Sequence, residues 1–228
     1  MDIIRVSSAE GSFDACIARP PQPACPAVVL LHEVFGVNAD MRSTCEELAA
    51  AGFTTICPEL FWRQERGVDL SVRSQQDWQK GLSLYEAFDV DAGVRDVEST
   101  VALARHVSNG RVAVMGFCLG GLLSYLAAAR TVVDAAIAFH GGRTEEYLAE
   151  AADIDCPLQM HLAEQDEYMT RASQQQIAAA LPQRPDIEVY SYANCHHAFS
   201  RHDGEPFNAD AARLSRARTL EFLYRHLG

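Results

Sequence analysis

The chain has 228 residues, 48% of them hydrophobic, enough to bury one sizeable core within the single-domain range of α/β folds. Its 31 acidic and 19 basic residues give a formal net charge of −12, which excludes a nucleic-acid or anionic-membrane surface built on a basic patch. Seven cysteines (16, 25, 45, 57, 118, 156 and 195) form no C-x-x-C pair, and their odd number and scatter predict reduced thiols in a cytoplasm.

The N-terminal segment carries Asp2, Arg5, Glu10 and Asp14, which predicts no signal peptide. Strand patterns cover 3–7 and 12–19, and Pro20-Pro21-Gln22-Pro23 reads as a surface turn. A continuous apolar strand at 27–32 then runs into Glu33-Val34-Phe35-Gly36-Val37-Asn38. Helix 39–51 follows, with Met41, Cys45, Leu48 and Ala49 on its apolar stripe and Gly52 as its stop, before a strand at 53–57. Residues 58–90 read as one long irregular connection, polar and tryptophan-bearing, of the functional or lid-like kind. Beyond it, helices near 92–107, 119–129, 144–151, 170–181 and 208–227 alternate with strands near 111–115, 134–139, 158–163 and 187–192. Leu220, Leu223 and Leu227 share one face of the last helix. This alternation predicts a single domain over residues 1–228, a mostly parallel sheet of about eight strands with helices on both faces.

Within that order, Gly116-Phe117-Cys118-Leu119-Gly120 joins the strand at 111–115 to the helix at 119–129. A G-x-C-x-G between strand and helix is a nucleophile elbow with cysteine in place of the commoner serine. The turn is sharp and strained, so side chains two residues either side would strike backbone, and glycines at 116 and 120 remove them. The sulfur then stands at a helix N-terminus, where N–H groups and the dipole favour a thiolate or an oxyanion. The competing reading is a buried cysteine beside glycines that only permit close packing. Val112 to Ala129 is an uncharged run of 18 residues, but its three glycines and its flanking Arg111 and Arg130 exclude a membrane span.

An elbow predicts an acid and then a histidine downstream, each at a strand's carboxyl end. Glu164-Gln165-Asp166-Glu167 follows strand 158–163, and Cys195-His196-His197 follows strand 187–192. The order Cys118, Asp166, His197 satisfies that rule. Asp166 competes with Glu164 and Glu167, and His196 competes with His197. His161 reads as a strand-core residue, and His106 and His226 end helices, where a cation suits the dipole. The Cys195-His196-His197 run has metal-ligating residue types, but no second cluster of ligand spacing accompanies it, so no metal is expected.

Three segments together carry a family resemblance: His32-Glu33-Val34-Phe35-Gly36-Val37-Asn38, Gly116-Phe117-Cys118-Leu119-Gly120-Gly121, and His197-Ala198-Phe199 before the final helix. With Asp166 after the next-to-last strand, they resemble the dienelactone hydrolase family (carboxymethylenebutenolidases) of the α/β-hydrolase superfamily. The resemblance runs over nearly the whole chain, including Cys57-Pro58-Glu59-Leu60, Glu86-Ala87-Phe88-Asp89 and Ala92-Gly93-Val94. It implies the α/β-hydrolase fold, with Cys118 as nucleophile, Asp166 as orienting acid and His197 as base, since the family's histidine precedes a small residue and Phe. Glu33 would be a second carboxylate that meets the resting thiol. The backbone N–H groups of Leu119 and Val34 would form the oxyanion hole.

For the pocket, the resemblance implies that Arg201, four residues beyond His197, binds a substrate carboxylate. It places Trp78 where the family has a second arginine, and Leu82, Tyr85 and His140 at neighbouring pocket positions. Arg73 is the nearby candidate for the missing arginine. The implied activity is cofactor-free opening of a small lactone or enol ester, of the dienelactone-to-maleylacetate type, in aromatic-compound degradation. The implied partner is a small carboxylate-bearing substrate, with no nucleic acid or membrane, for a monomer or small homo-oligomer. The alternatives are a carboxylesterase or thioesterase on another small ester and, in another class, a non-catalytic thiol binding or redox protein.

Overall fold

A computed structural model describes all residues, Met1–Gly228. The strands are β1 (Asp2–Ser8), β2 (Gly11–Ala18), β3 (Ala27–Leu31), β4 (Thr54–Pro58), β5 (Val112–Phe117), β6 (Ala135–Phe139), β7 (Leu158–Ala163) and β8 (Ile187–Tyr192). They form one sheet in the order β1-β2-β4-β3-β5-β6-β7-β8. The β1–β2 and β2–β4 pairs are antiparallel, and every pair from β4 across to β8 is parallel.

The helices are α1 (Ala39–Ala50), α2 (Gln75–Glu86), α3 (Val90–Val107), α4 (Leu119–Arg130), α5 (Arg171–Ala180) and α6 (Ala209–Leu227). In β3, Ala27, Val29 and Leu31 face the layer formed by α3, α4 and α5, whereas Val28 and Leu30 face α1 and α6. Both sides of that strand are buried, which is why its sequence is a continuous apolar run rather than an alternating one. The edge strand β8 alternates because only part of it is covered.

Two local expectations are corrected. The connection at 58–90 is not irregular throughout, because it contains the 12-residue helix α2, whose N-cap Ser74 accepts a hydrogen bond from the Asp77 N–H at 3.2 Å. Only Gly81 of α2 is buried, so this helix lacks the wide apolar stripe by which its neighbours are read. The segment Thr144–Asp153 is a 3-10 helix kinked at Tyr147 rather than a regular α-helix.

The topology selects the place for a site. After β3 the chain crosses to β4 on one side of the sheet and later returns to β5 on the other. The loops leaving β3 and β5 therefore diverge and open a crevice at the strands' carboxyl ends. Glu33 and Cys118 are the second residue after β3 and the first after β5. No helix is long and apolar enough to cross a membrane.

Candidate active site

Cys118 lies between β5 and α4 with φ 52° and ψ −113°, a conformation that L-residues rarely adopt. Its surroundings hold it there. Its N–H donates to the Phe139 carbonyl on β6 at 3.1 Å, and its carbonyl accepts from the Leu122 N–H at 3.0 Å. A Cβ on Gly116 would overlap the Gly120 carbonyl, and one on Gly120 would overlap the Leu31 carbonyl of β3. Leu119 heads α4, so its N–H is among those without an intrahelical acceptor.

The β8–α6 connection brings His197 opposite this turn. His197 Nδ1 lies 2.9 and 3.0 Å from the two Asp166 carboxylate oxygens. Asp166 also accepts from the N–H groups of Tyr168 (2.8 Å) and Met169 (3.1 Å), so a turn after β7 fixes its carboxylate. These bonds orient the imidazole with Nδ1 as donor and Nε2 free. The buried Nε2 makes no formed hydrogen bond, and the Cys118 sulfur is close enough to act on it. Burial opposes charge on this ring, but a thiolate at Cys118 and the Asp166 carboxylate more than offset it, and the pKa is pushed up to about 10. The rivals have other partners: Glu164 pairs with Arg171, and Glu167 with His196 Nδ1 at 2.5 Å. His196 is half-exposed, whereas His197 is buried. Cys195, His196 and His197 thus do not converge, and no group of three or more His, Cys, Asp or Glu side chains is arranged to hold a metal.

Glu33 and Arg201 form a buried ion pair, with Arg201 Nη1 donating to the Glu33 oxygens at 3.1 and 3.3 Å. Burial raises the Glu33 pKa and the Arg201 charge opposes that rise. The bonded partner of Glu33 is therefore this guanidinium. Arg201 also donates Nε to the Asp203 backbone carbonyl at 3.0 Å, while the Asp203 carboxylate is taken by Arg73 at 2.6 Å. The Glu33 loop is pinned by His32, which the sequence reading missed. His32 Nδ1 donates to the Glu33 carbonyl at 2.6 Å, and Nε2 accepts from the Leu60 N–H at 3.0 Å. Burial lowers the His32 pKa to about 4, which keeps this neutral tautomer in place.

Cys118, His197, Glu33 and Arg201 open onto one cavity of about 450 Å³, together with Val34, Trp78, Leu82 and Tyr85. Trp78, Leu82 and Tyr85 stand four and three residues apart on α2, so one face of that helix forms a wall. Trp78 is held by its Nε1 bond to the Val72 carbonyl at 2.7 Å and packs edge-on against Phe35. His140 is the exception among the expected pocket residues. It is fully buried behind the site, its ring 4.3 Å from that of His197, and it does not line the cavity. Its N–H is bonded to the His161 carbonyl of β7, which turns the side chain inward, and burial with the nearby charges of His197 and Arg201 lowers its pKa well below the ordinary range. Arg73 likewise lies outside this cavity, on Asp203.

Two wall residues had no sequence signal beyond their place after a strand's carboxyl end. Tyr168 packs edge-on to His197 with centroids 4.8 Å apart, and Arg143 follows Gly141-Gly142 beyond β6 with φ 69°.

Comparison with known proteins agrees with this architecture. A sequence profile for the dienelactone hydrolase family matches residues 13–227. The chain is 35% identical over 223 residues to a carboxymethylenebutenolidase of Pseudomonas putida, covering 96% of this chain and 94% of the relative. It is 35% identical over 233 residues to a putative carboxymethylenebutenolidase of Azospirillum brasilense, covering 100% and 99%. Its fold superposes on a putative dienelactone hydrolase from Klebsiella pneumoniae with a TM-score of 0.87 at 22% identity, over 98% of both chains.

Proposed function

The chain belongs to the dienelactone hydrolase family, hydrolases of lactone and ester bonds, and we propose that it opens a small carboxylate-bearing lactone or enol ester through Cys118, His197 and Asp166. The observation that carries the reading is the strained Cys118 facing the free Nε2 of a histidine whose Nδ1 is held by Asp166 at 2.9 Å. The alternative of a non-catalytic thiol protein gives no account of that alignment.

In this mechanism His197 Nε2 takes the Cys118 proton, and the thiolate attacks the substrate carbonyl carbon. The carbonyl oxygen becomes an oxyanion facing the N–H groups of Leu119 and Val34. Collapse breaks the ring carbon–oxygen bond and leaves a thioester. The imidazolium returns its proton to the departing enol oxygen. A water then gives its proton to Nε2 and attacks the thioester carbon, the carbon–sulfur bond breaks to release the acid and a thiolate, and Nε2 returns the proton to the Cys118 sulfur. Asp166 holds the ring through both proton transfers. Glu33 and Arg201 place a balanced pair on the wall of the cavity that Cys118 opens onto, and with Nε and Nη1 engaged, Arg201 Nη2 is the nitrogen free of both contacts.

Turnover of cis-dienelactone, protoanemonin and p-nitrophenyl acetate by the purified protein tests the reading. Cys118→Ala should abolish it, with a loss of at least about 10²-fold, while Cys195→Ala, a buried thiol off the cavity, keeps most activity. Full activity in Cys118→Ala would overturn the assignment.

A further inference from the structure

The cavity beside Cys118 presents two guanidinium groups, and their hydrogen-bonding edges are differently occupied. An arginine offers carboxylates two forked edges, Nε with Nη2 and Nη1 with Nη2. In Arg201 each edge contains an engaged nitrogen, because Nε serves the Asp203 carbonyl and Nη1 serves Glu33. In Arg143 a single carboxylate, that of Glu146, takes the side edge, with Nε at 3.0 and 3.1 Å and Nη2 at 2.8 Å. Arg143 Nη1 donates to no protein carboxylate or carbonyl, and Nη2 keeps a second N–H beyond the one given to Glu146, so the end edge retains one N–H on each nitrogen. The side chain is 42% exposed, at the mouth of the cavity.

Placement supports a role for that open edge. Arg143 leaves the β6 loop in the left-handed region, and Glu146, three residues on, holds its fork. Tyr85, Arg143 and Cys118 all line the same cavity. A small molecule whose carbonyl sits on Cys118 therefore shares its cavity with the Arg143 guanidinium. The molecule as a whole carries a charge of −12, so an anion needs such a local cation to settle here.

We propose that Arg143, held by Glu146, is the bidentate receptor for the substrate carboxylate and sets the preference for anionic over neutral lactones, while Arg201 serves mainly to balance Glu33. The proposal rests on the lactone-hydrolase reading above. In the catalytic cycle Arg143 touches the bound substrate but no reacting atom, so its loss should fall on KM more than on kcat.

Cis-dienelactone and protoanemonin make a matched pair, the same ring with and without the carboxylate. For Arg143→Gln the ratio of kcat/KM, dienelactone over protoanemonin, should fall about 10- to 100-fold, the range for losing a charged hydrogen-bonded pair. Arg143→Lys, which keeps the charge but not the fork, should recover part of it. Arg201→Gln should instead depress both substrates, since it leaves Glu33 buried without its counter-ion. An unchanged ratio in Arg143→Gln overturns the proposal. Should the wild type turn over neither lactone, the hydrolase reading falls, and calorimetric binding to Cys118→Ala protein still decides this one. That protein should bind dienelactone more tightly than protoanemonin, and adding Arg143→Gln should remove the difference. Equal binding of the two lactones by Cys118→Ala protein, or a preference that survives Arg143→Gln, overturns the role of Arg143.

Discussion

His197 has a pKa of about 10 against an ordinary value of 6.5, because the Cys118 sulfur and Asp166 outweigh the cost of burying its charge. The sign follows from the direction of the shift. The folded value is raised, so this interaction stabilises fully below about pH 6.5 and is lost as pH rises through about 10. In the proposed mechanism the same proton serves the departing enol oxygen, so kcat/KM for a lactone should hold through neutral pH and fall on an alkaline limb far above 6.5. Asp166→Asn removes one of the two stabilising charges. It should shift that limb to lower pH and reduce kcat/KM by at least about 10²-fold. Rates measured from pH 6 to 10.5 check this, and an alkaline limb that stays put in Asp166→Asn would contradict the role of the carboxylate.

At the scale of elements, the elbow depends on three backbones in close contact: the ends of β5 and β3 and the first turn of α4. Gly120→Ala should therefore destabilise by at least about 2 kcal/mol, because a methyl group meets the Leu31 carbonyl and backbone cannot rotate away as a side chain can. Gly110→Ala gives the comparison. Gly110 has φ +92° in the turn before β5, but nothing lies within 4 Å of its Cβ position, so its cost is backbone strain alone, of order 1 kcal/mol. Urea midpoints of the two variants should rank in that order, and a Gly120→Ala protein as stable as wild type would mean the turn relaxes freely. The helix α2 shows the converse situation at this scale. It forms with only one buried residue because Ser74 caps it and the apolar side chains on one face meet the cavity and the Glu33 loop.

Across the whole molecule, the segment between β4 and α2 is tied to α3 by a buried polar knot. The fully buried Asp96 carboxylate accepts from Trp62 Nε1 at 2.8 Å and from Arg63 Nη2 at 3.0 Å, with Arg63 Nη1 as a further donor. Removing the acid leaves a guanidinium and an indole N–H without their acceptor. Because Arg63 is partly exposed and keeps Glu10, Asp96→Ala should cost about 2–3 kcal/mol, below the figure for a fully buried pair. Equilibrium urea unfolding with an unchanged m-value measures it. A loss under about 0.5 kcal/mol would show that the knot is replaceable by water.

What the sequence determined by itself was whatever repeats locally. Continuous apolar runs, period-2 alternation and period-3.6 hydrophobicity placed the eight strands and the core-facing helices, and the glycines at 116 and 120 announced a turn whose steric demand is written within five residues. Chain order also put the Cys118, Asp166 and His197 loops at one end of the sheet, because the strands before them are parallel, but it left His196, Glu164 and Glu167 as rivals. Tertiary structure decided everything that depends on partners distant in sequence. Nothing near Glu33 indicates that Arg201, 168 residues away, closes an ion pair on it. His140 stands after a strand like the true wall residues, but its bond to β7 turns it behind His197 rather than into the cavity. Arg143 has no motif at all. Its fork is held by Glu146, and it shares the Cys118 cavity with Tyr85, which stands on a helix with too little buried surface to be read from hydrophobicity. Side-chain direction and ion pairing are settled by whichever neighbours the packed fold brings within a few ångströms, and that information is not periodic along the chain.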